Sequence, residues 1–266
     1  MRITMLGTGN ALVTECYNTC FILSDEGRNF LVDTGGGNTI LSRIKRTGLS
    51  LDDIHDVFIS HSHIDHLLGV IWVIRISAQM MNKGIFNGNL NIYSNDDAVP
   101  LIDDLSEKLL LPYQYNFIGK RIHLRTVSHN ETVNIIGHEV KFFDVKSPRT
   151  KQLGFVMTYD SDKRLVFCGD EPLRESSRPY AEGCEWLLHE AFCLEEDEEK
   201  FSAHEKYHST VKDTSETAQG LNVKNLMLYH TEDSDLPHRK ERYTAEAKRY
   251  FNGNIFVPDD LETLTL

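Results

Sequence analysis

Short apolar runs alternate with polar turns along the chain, and several of these runs end in a histidine or an aspartate. Residues 2–6 are predicted to form a strand, and residues 20–23 and 29–32 a hairpin around Asp25-Glu26-Gly27. Within residues 39–47 the apolar positions recur at helical spacing, and Gly48 ends this predicted helix.

The same alternation continues towards the C-terminus. Residues 57–60 are predicted to form a strand that leads directly into a histidine-rich stretch. Further strands are predicted at 90–93, 140–145, 154–159, 165–168, 186–188 and 226–229, and further helices at 67–81, 98–111, 210–220 and 243–251. Mixed strands and helices without a dividing linker predict a layered α/β fold, with one domain over residues 1–266.

Composition limits the classes of protein that need to be considered. With 40% hydrophobic residues, the chain can build a buried core. We find no apolar run long enough to span a bilayer and no signal peptide, and therefore expect a cytoplasmic protein without a membrane partner. Five cysteines without a CxxC pair indicate neither a disulfide framework nor a zinc ribbon. The net charge of −12 argues against a broad basic surface for nucleic acid.

The strongest chemical signal is the stretch His61-Ser62-His63-Ile64-Asp65-His66. Imidazole and carboxylate ligands suit Zn²⁺, Mn²⁺ or Fe²⁺ better than Ca²⁺ or Mg²⁺. Four such groups within six residues do not easily close around one tetrahedral ion, so the pattern predicts two adjacent ions with further ligands from other loops. Asp170 and His230, which each follow a predicted strand, are the candidates for those ligands.

Additional motifs make the chain similar to a known family. The histidine stretch, Asp33-Thr34-Gly35 before it and Gly169-Asp170 after it resemble the metallo-β-lactamase superfamily. The ribonuclease Z branch is indicated by three further motifs, Leu6-Gly7-Thr8-Gly9, Leu188-His189-Glu190-Ala191-Phe192 and His208-Ser209-Thr210. The resemblance extends from the first strand to about residue 231. It implies a four-layer αββα sandwich of two mixed sheets with helices outside, a dinuclear site that usually holds zinc, and a homodimer.

The resemblance also implies which residues serve the site. One ion would be held by His61, His63 and Asp170, and the other by Asp65, His66, Asp170 and His230. We expect hydrolysis by metal-activated water that Asp65 orients or deprotonates. His208 is the candidate general acid for the leaving oxygen, and Glu190 is expected to position it.

One ligand of the superfamily pattern is missing from this chain. The superfamily places a third histidine for the first ion on a loop that corresponds to residues 143–155, and that stretch contains no histidine. Lys146 or Pro148 occupies the corresponding position. An ammonium group there would repel a nearby cation, so we expect only the second site to be tightly occupied. Lys146 is then expected to contact an anionic group of the substrate.

The substrate class stays open between several alternatives. A phosphodiester is favoured by the ribonuclease Z resemblance. The long arm that grips transfer RNA in some members would have to lie between Gly154 and Asp170, which are too close for it. We therefore expect a small-molecule or nucleotide phosphodiester more than RNA. The alternatives are a lactone, thioester or other carbonyl ester, and a non-catalytic binding protein in which Lys146 has disabled the chemistry.

Overall fold

The chain divides into two structural units, each built on one seven-stranded sheet. Unit 1 comprises Met1–Gly7, Tyr17–Ser128 and Asp260–Leu266, and unit 2 comprises Thr8–Cys16 and His129–Asp259. The structure is a computed structural model that describes residues 1–266. The single domain that we expected over these residues stays a prediction.

Unit 1 has its strands in the order β14-β1-β2-β3-β4-β5-β6. Strands β3 to β6 are parallel and the others pair antiparallel. The strands are β1 (Arg2–Gly7), β2 (Cys20–Asp25), β3 (Arg28–Val32), β4 (Ile54–Phe58), β5 (Leu90–Ser94), β6 (Ile122–Thr126) and β14 (Thr263–Thr265). The helices are α1 (Thr39–Arg46), α2 (Ile64–Leu67), α3 (Gly69–Asn82), α4 (Ala98–Leu109) and α5 (Pro112–Tyr115).

Unit 2 has its strands in the order β13-β12-β11-β10-β9-β8-β7. Strands β10 to β13 are parallel, and β7 to β10 pair antiparallel. The strands are β7 (Thr132–Ile135), β8 (His138–Asp144), β9 (Leu153–Tyr159), β10 (Lys163–Phe167), β11 (Trp186–Glu190), β12 (Asn225–Tyr229) and β13 (Asn254–Phe256). The helices are α6 (Arg178–Ala181), α7 (Glu198–Phe201), α8 (Val211–Gly220) and α9 (Leu236–Ala247). Two mixed sheets with helices confirm the predicted α/β fold class.

Local sequence chemistry explains the elements that were predicted well. Strands β2 and β3 form the expected hairpin, and its turn residues Glu26 and Gly27 have φ of +48° and +78°. Positive φ at both central turn residues matches the twist of the flanking strands. Helix α1 buries Ile40 and Ile44 on one face, as their spacing predicted. Helix α8 begins at the expected place because the Thr210 side chain caps the backbone N–H of Asp213.

Helix α9 is the clearest error in the predicted boundaries. The apolar spacing predicted a helix over 243–251, whereas α9 spans Leu236–Ala247. Its first turns are polar and carry no apolar period, so the amphipathic pattern begins only near Tyr243. A proline at the start of the helix, where no intrahelical N–H partner is needed, marks the true beginning.

One helical stretch is long and apolar enough to span a bilayer when only its length and composition are considered. In that respect the expectation that no such apolar run exists is wrong. The helical stretch Ile64–Asn82 has 19 residues and passes that test. However, 61% of its most apolar window is buried inside the structure, and the core helix of a soluble protein passes the same test.

The expected absence of a long inserted arm is confirmed. Strands β9 and β10 pair antiparallel from Tyr159–Lys163 to Phe155–Phe167. Only residues 160–162 connect the two strands, which leaves a tight hairpin turn where an arm would be inserted.

Candidate metal centre

The histidine stretch lies where two neighbouring parallel strands of unit 1 end. Strand β4 pairs in parallel with β3, so the segments that follow them emerge at the same edge of the sheet. Asp33 follows β3, and residues 61–66 follow β4. His61, Asp65 and His66 are buried, whereas His63 is partly exposed. The folded chain therefore collects the predicted unit 1 ligands on one short segment beside Asp33.

Asp33 orients two of these histidines. Its Oδ2 lies 2.8 Å from Nδ1 of His66 and accepts a hydrogen bond of 2.8 Å from the Ser60 hydroxyl. The Ser60 hydroxyl lies in turn 2.9 Å from Nδ1 of His61. Asp33 itself has φ of +55°, and its Oδ1 accepts the Ser60 backbone N–H at 2.8 Å. A metal-binding histidine commonly donates its other ring N–H to a carboxylate, which fixes the orientation of the imidazole.

Because both Nδ1 atoms are used in this way, the Nε2 atoms of His61 and His66 point away from Asp33. The His61 ring centre lies 4.4 Å from that of His63 and 4.3 Å from that of His66. Nε2 of His66 lies 3.2 Å from Oδ2 of Asp65. Burial lowers the pKa of His66, but the carboxylates of Asp65 and Asp33 outweigh burial and hold that pKa well above its ordinary value. A buried, negatively charged donor set of this kind fits a divalent cation.

The loop after β3 locks the cluster in place. Thr34 donates two hydrogen bonds to the His66 carbonyl oxygen, one from its backbone N–H at 3.0 Å and one from its hydroxyl at 2.8 Å. Helix α3 starts against this loop, where Gly69 donates its N–H to the Gly35 carbonyl at 2.9 Å. A Cβ on Gly69 would lie 2.0 Å from the Thr34 carbonyl oxygen, so only glycine permits this approach.

The candidate residues of unit 2 come from three neighbouring parallel strands. Asp170 follows β10, Glu190 ends β11 and His230 follows β12, and all three are buried. Oδ2 of Asp170 lies 3.7 Å from Nε2 of His230. His230 has φ of +57°, a conformation that costs about 1–3 kcal/mol for a non-glycine residue and tends to occur at functional sites. The structure thus brings Asp170 and His230 together, as expected.

Gln152 is a residue of this site that the sequence did not reveal. It is fully buried, its Nε2 donates a hydrogen bond to Oδ1 of Asp170, and its Oε1 accepts the Asp170 backbone N–H at 3.1 Å. Gly169 has φ of +75°, and a Cβ there would lie 2.3 Å from Oε1 of Gln152. Gln152 therefore orients the Asp170 carboxylate, and Gly169 makes room for it. A single glutamine before a strand carries no recognisable signal.

Glu190 and His208 form a buried pair. Nδ1 of His208 lies 3.7 Å from Oε2 of Glu190, and neither atom makes a hydrogen bond within the protein. The other carboxylate oxygen accepts the Ser209 backbone N–H at 2.5 Å. Phe192 stacks on the His208 ring with 4.7 Å between centres. Glu190, His208 and His230 each offer a ligand atom, and these atoms lie within 4.8 Å of one another.

The pKa values of this pair shift in opposite directions. Burial, together with the charges of Asp170 and Asp213, raises the pKa of Glu190 well above its usual value. Burial and the neighbouring His230 lower the pKa of His208 to about 3. In the protein alone, burial therefore favours the neutral form of each group, and the His208 imidazole is neutral near pH 7. Two buried polar atoms without hydrogen bonds, beside a third candidate ligand, fit a site that receives a cation or a polar substrate.

Lys146 is placed differently from the catalytic and ligand candidates. Its side chain is 56% exposed, and its ammonium lies 2.8 Å from Oδ2 of Asp144. Its φ of +64° turns the chain sharply at the start of the loop between β8 and β9. The structure thus gives the Lys146 ammonium a partner at the surface, and its contact with a substrate stays a prediction.

Comparisons with solved structures define the class of fold. A metallo-β-lactamase fold protein of Bacillus subtilis, YhfI, superposes with a TM-score of 0.77 and 18% identity, over 99% of each chain. The short form of human tRNase Z superposes with a TM-score of 0.74 and 18% identity, over 100% of this chain and 99% of that one. The chain therefore has the metallo-β-lactamase fold.

Sequence comparison then gives the family. The chain belongs to the family described as Anti-Pycsar protein Apyc1, whose model matches residues 1–260. It is also 26% identical to Ribonuclease Z of Pyrobaculum neutrophilum, over 99% of this chain and 98% of that protein. The predicted resemblance to the ribonuclease Z branch of the metallo-β-lactamase superfamily is confirmed.

Proposed function

We propose that this chain is a metal-dependent hydrolase that cleaves a phosphodiester bond in a small-molecule or nucleotide substrate. The observation that carries the proposal is the segment from His61 to His66, in which Asp33 orients the buried imidazoles of His61 and His66 at the end of two parallel strands. Relatives named Ribonuclease Z, aligned over almost the whole chain, support the phosphodiester as the bond that is cleaved.

For the metal we propose the ligands that the family resemblance implies. His61, His63 and Asp170 serve one ion, and Asp65, His66, Asp170 and His230 serve the other. Zn²⁺ is proposed because imidazole and carboxylate donors suit it, with Mn²⁺ or Fe²⁺ as alternatives. The loop that should supply the third histidine has Lys146 or Pro148 at the corresponding position instead. We therefore propose one tightly held ion per chain.

Each protein group then has a defined task. A bound divalent ion supplies the Lewis acidity that makes water nucleophilic near pH 7. Asp65 accepts the proton of the attacking water. His208 gives a proton to the leaving oxygen in its protonated form, which the protein alone disfavours and which the negative charge of the bound substrate would stabilise. Glu190 holds the His208 imidazole in position from the Nδ1 side, and the stacked Phe192 ring shields it from water.

The same resemblance leads us to propose a cytoplasmic homodimer. RNA is a weaker candidate for the substrate, since the net charge is −12 and β9 and β10 are joined by a tight turn. Light scattering of the purified protein checks the assembly: we expect a mass of twice 30.5 kDa. A mass of one chain at micromolar concentration would contradict the dimer.

The reaction is tested by a rate screen with Zn²⁺, Mn²⁺ or Fe²⁺. The substrates are bis(p-nitrophenyl) phosphate, cyclic nucleotides and simple lactones. We expect turnover of at least one phosphodiester. Turnover of lactones alone would instead identify a carbonyl ester hydrolase, and no turnover with any ion would favour a non-catalytic binding protein.

Metal analysis of the pure protein tests the number of ions separately. After dialysis we expect about one equivalent of tightly held transition metal per chain, because the loop of the missing histidine provides no imidazole. Two equivalents that survive dialysis would contradict the single-ion proposal without affecting the proposed reaction.

A further inference from the structure

Arg149 contacts the chain neighbours of two candidate site residues of unit 2, Asp170 and His208, and has no part in the proposed reaction. Its Nε lies 3.6 Å from Oε1 of Glu171, the residue that follows Asp170. Its Cζ lies 5.7 Å from the ring centre of Tyr207, the residue that precedes His208. The guanidinium thus reaches from the neighbour of a candidate metal ligand to the neighbour of the candidate acid.

The loop between β8 and β9 is folded in a way that fixes this position. The Ser147 hydroxyl donates a hydrogen bond of 2.6 Å to Glu171. The same oxygen accepts the backbone N–H groups of Arg149 at 3.2 Å and of Thr150 at 3.3 Å. Glu171 is fully buried, so it anchors the loop against the segment that carries Asp170. The backbone position of Arg149 is therefore fixed by hydrogen bonds within the loop and to the buried Glu171.

The far end of the Arg149 side chain remains available to a ligand. Its ion pair with Glu171 is made through Nε, and its other side-chain contact is with the Tyr207 ring; neither terminal nitrogen donates a hydrogen bond within the protein. The side chain is 34% exposed. The Glu171 carboxylate is shared with Arg174, whose guanidinium lies 3.5 Å away. Two cations around one buried carboxylate leave positive charge for an anion.

The contrast with Lys146 on the same loop is direct. The Lys146 ammonium is already neutralised by Asp144 at 2.8 Å and is more exposed. Arg149 presents two parallel N–H donors, the geometry that matches two oxygens of a phosphoryl group, whereas an ammonium binds as a point charge.

We propose that Arg149 is a substrate-binding residue whose terminal nitrogens hold the non-bridging oxygens of the phosphodiester. This inference rests on the proposed function and adds the group that selects an anionic ester over a neutral one. Its charge is also felt at the candidate acid: after burial and His230, Arg149 contributes to the lowered pKa of His208.

The first test compares three variants with the wild type in the metal-loaded enzyme. Arg149→Ala should raise KM for bis(p-nitrophenyl) phosphate by about 10- to 100-fold, since it removes a charged hydrogen-bonding pair. Arg149→Lys, which keeps the charge but not the two parallel donors, should lie in between. The control is Arg249→Ala, which removes an arginine that stacks on Tyr250 at 5.4 Å in the same unit. A KM for Arg149→Ala within twofold of the control would overturn the proposal.

A second test does not depend on turnover. Titration calorimetry with inorganic phosphate should show binding to the wild type and to Arg249→Ala, and at least tenfold weaker binding to Arg149→Ala. If phosphate binds in this pattern while no phosphodiester is cleaved, the proposed reaction fails and the Arg149 assignment stands. If the wild type does not bind phosphate, or if Arg149→Ala binds it equally well, the assignment fails. Circular dichroism shows whether Arg149→Ala is folded, and Arg149→Lys replaces it in both tests if it is not.

Discussion

The two units hold their candidate residues in opposite ways. In unit 1 four donors lie on one six-residue segment, and a single carboxylate, Asp33, orients two of the imidazoles. In unit 2 the donors come from the ends of separate strands and from the loop before α8. Their supports are also separate: Gln152 for Asp170, a positive φ for His230 and a stacked Phe192 for His208.

This difference has a physical consequence. On a contiguous segment, one hydrogen-bond network sets several side chains at once, so a change in that network propagates to all of them. Where each side chain has its own support, a change affects one group and leaves the others in place. We therefore expect substitutions of supporting residues to be more damaging in unit 1 than in unit 2.

The largest effect is expected at a group that touches the reaction itself. Asp65→Asn removes a buried carboxylate that is both a proposed ligand and the proposed proton acceptor, and should lower kcat/KM for the phosphodiester by about 10³-fold. Asp56→Asn is the matched control, since Asp56 is a carboxylate of β4 that contacts Asn91 and Tyr93. Steady-state kinetics decide the matter, and an Asp65→Asn enzyme as active as the control would refute the assignment of the site.

The next prediction concerns the support in unit 1. Asp33→Asn replaces one accepting oxygen by an amide donor, so it disturbs His66 directly and His61 through Ser60. We expect metal affinity to fall by about 10- to 100-fold, the usual cost of losing a residue that orients a ligand. Competition with a chromophoric chelator measures the affinity. Unchanged affinity would show that the hydrogen bonds of Asp33 do not tune the ligands.

The corresponding support in unit 2 should matter less. Gln152→Ala removes both hydrogen bonds to Asp170, and neither of these bonds involves Glu190, His208 or His230. We expect a loss of about tenfold or less in kcat/KM, with a stability cost of about 1–3 kcal/mol for the buried Asp170 N–H left without its acceptor. Gln114→Ala, at a fully buried glutamine of unit 1, is the control. Both variants are also compared in the same kinetic assay. If Gln152→Ala lowered kcat/KM more than Asp33→Asn did, the expected difference between the two units would be wrong.

The smallest effect is expected in the segment that precedes His208. Nε2 of His204 lies 2.7 Å from Oδ2 of Asp213, and Nδ1 lies 3.4 Å from Glu198. The hydrogen bond with Asp213 raises the pKa of His204, while the pKa of Asp213 is lowered despite burial because His204 and Thr210 hydrogen-bond to it. Since the His204 pKa is raised, its stabilising contribution is fully present below about pH 6.5 and is lost as pH rises through the folded pKa.

The measurement is the difference in Tm between the wild type and His204→Gln. The wild type should be more stable at pH 5.5, by a small amount because the His204 side chain is 52% exposed, and this difference should shrink at pH 9. A difference that grows with pH would contradict the sign of the linkage.

The candidate site residues of unit 1 were easier to predict from the sequence than those of unit 2, because they lie on one contiguous segment. The histidine segment could be recognised because its donors are contiguous, and it lies at the end of a strand as predicted. Asp170 and His230 could be found only as residues that follow strands, with the family pattern to select them. Gln152 and Ser60 could not be found, since their roles depend on contacts made after folding. On the loop before β9 the sequence drew attention to Lys146, whereas the folded loop presents the unpaired end of Arg149.

The central claim is that hydrolysis depends on a metal held by these residues. The most direct measurement is kcat/KM for bis(p-nitrophenyl) phosphate before chelation, after removal of the metal, and after readdition of Zn²⁺, Mn²⁺ or Fe²⁺. We predict that chelation abolishes turnover and that at least one of these ions restores it in the wild type but not in Asp65→Asn. Turnover that persists in the metal-free protein, or that none of the ions restores in a protein still folded, would contradict the account.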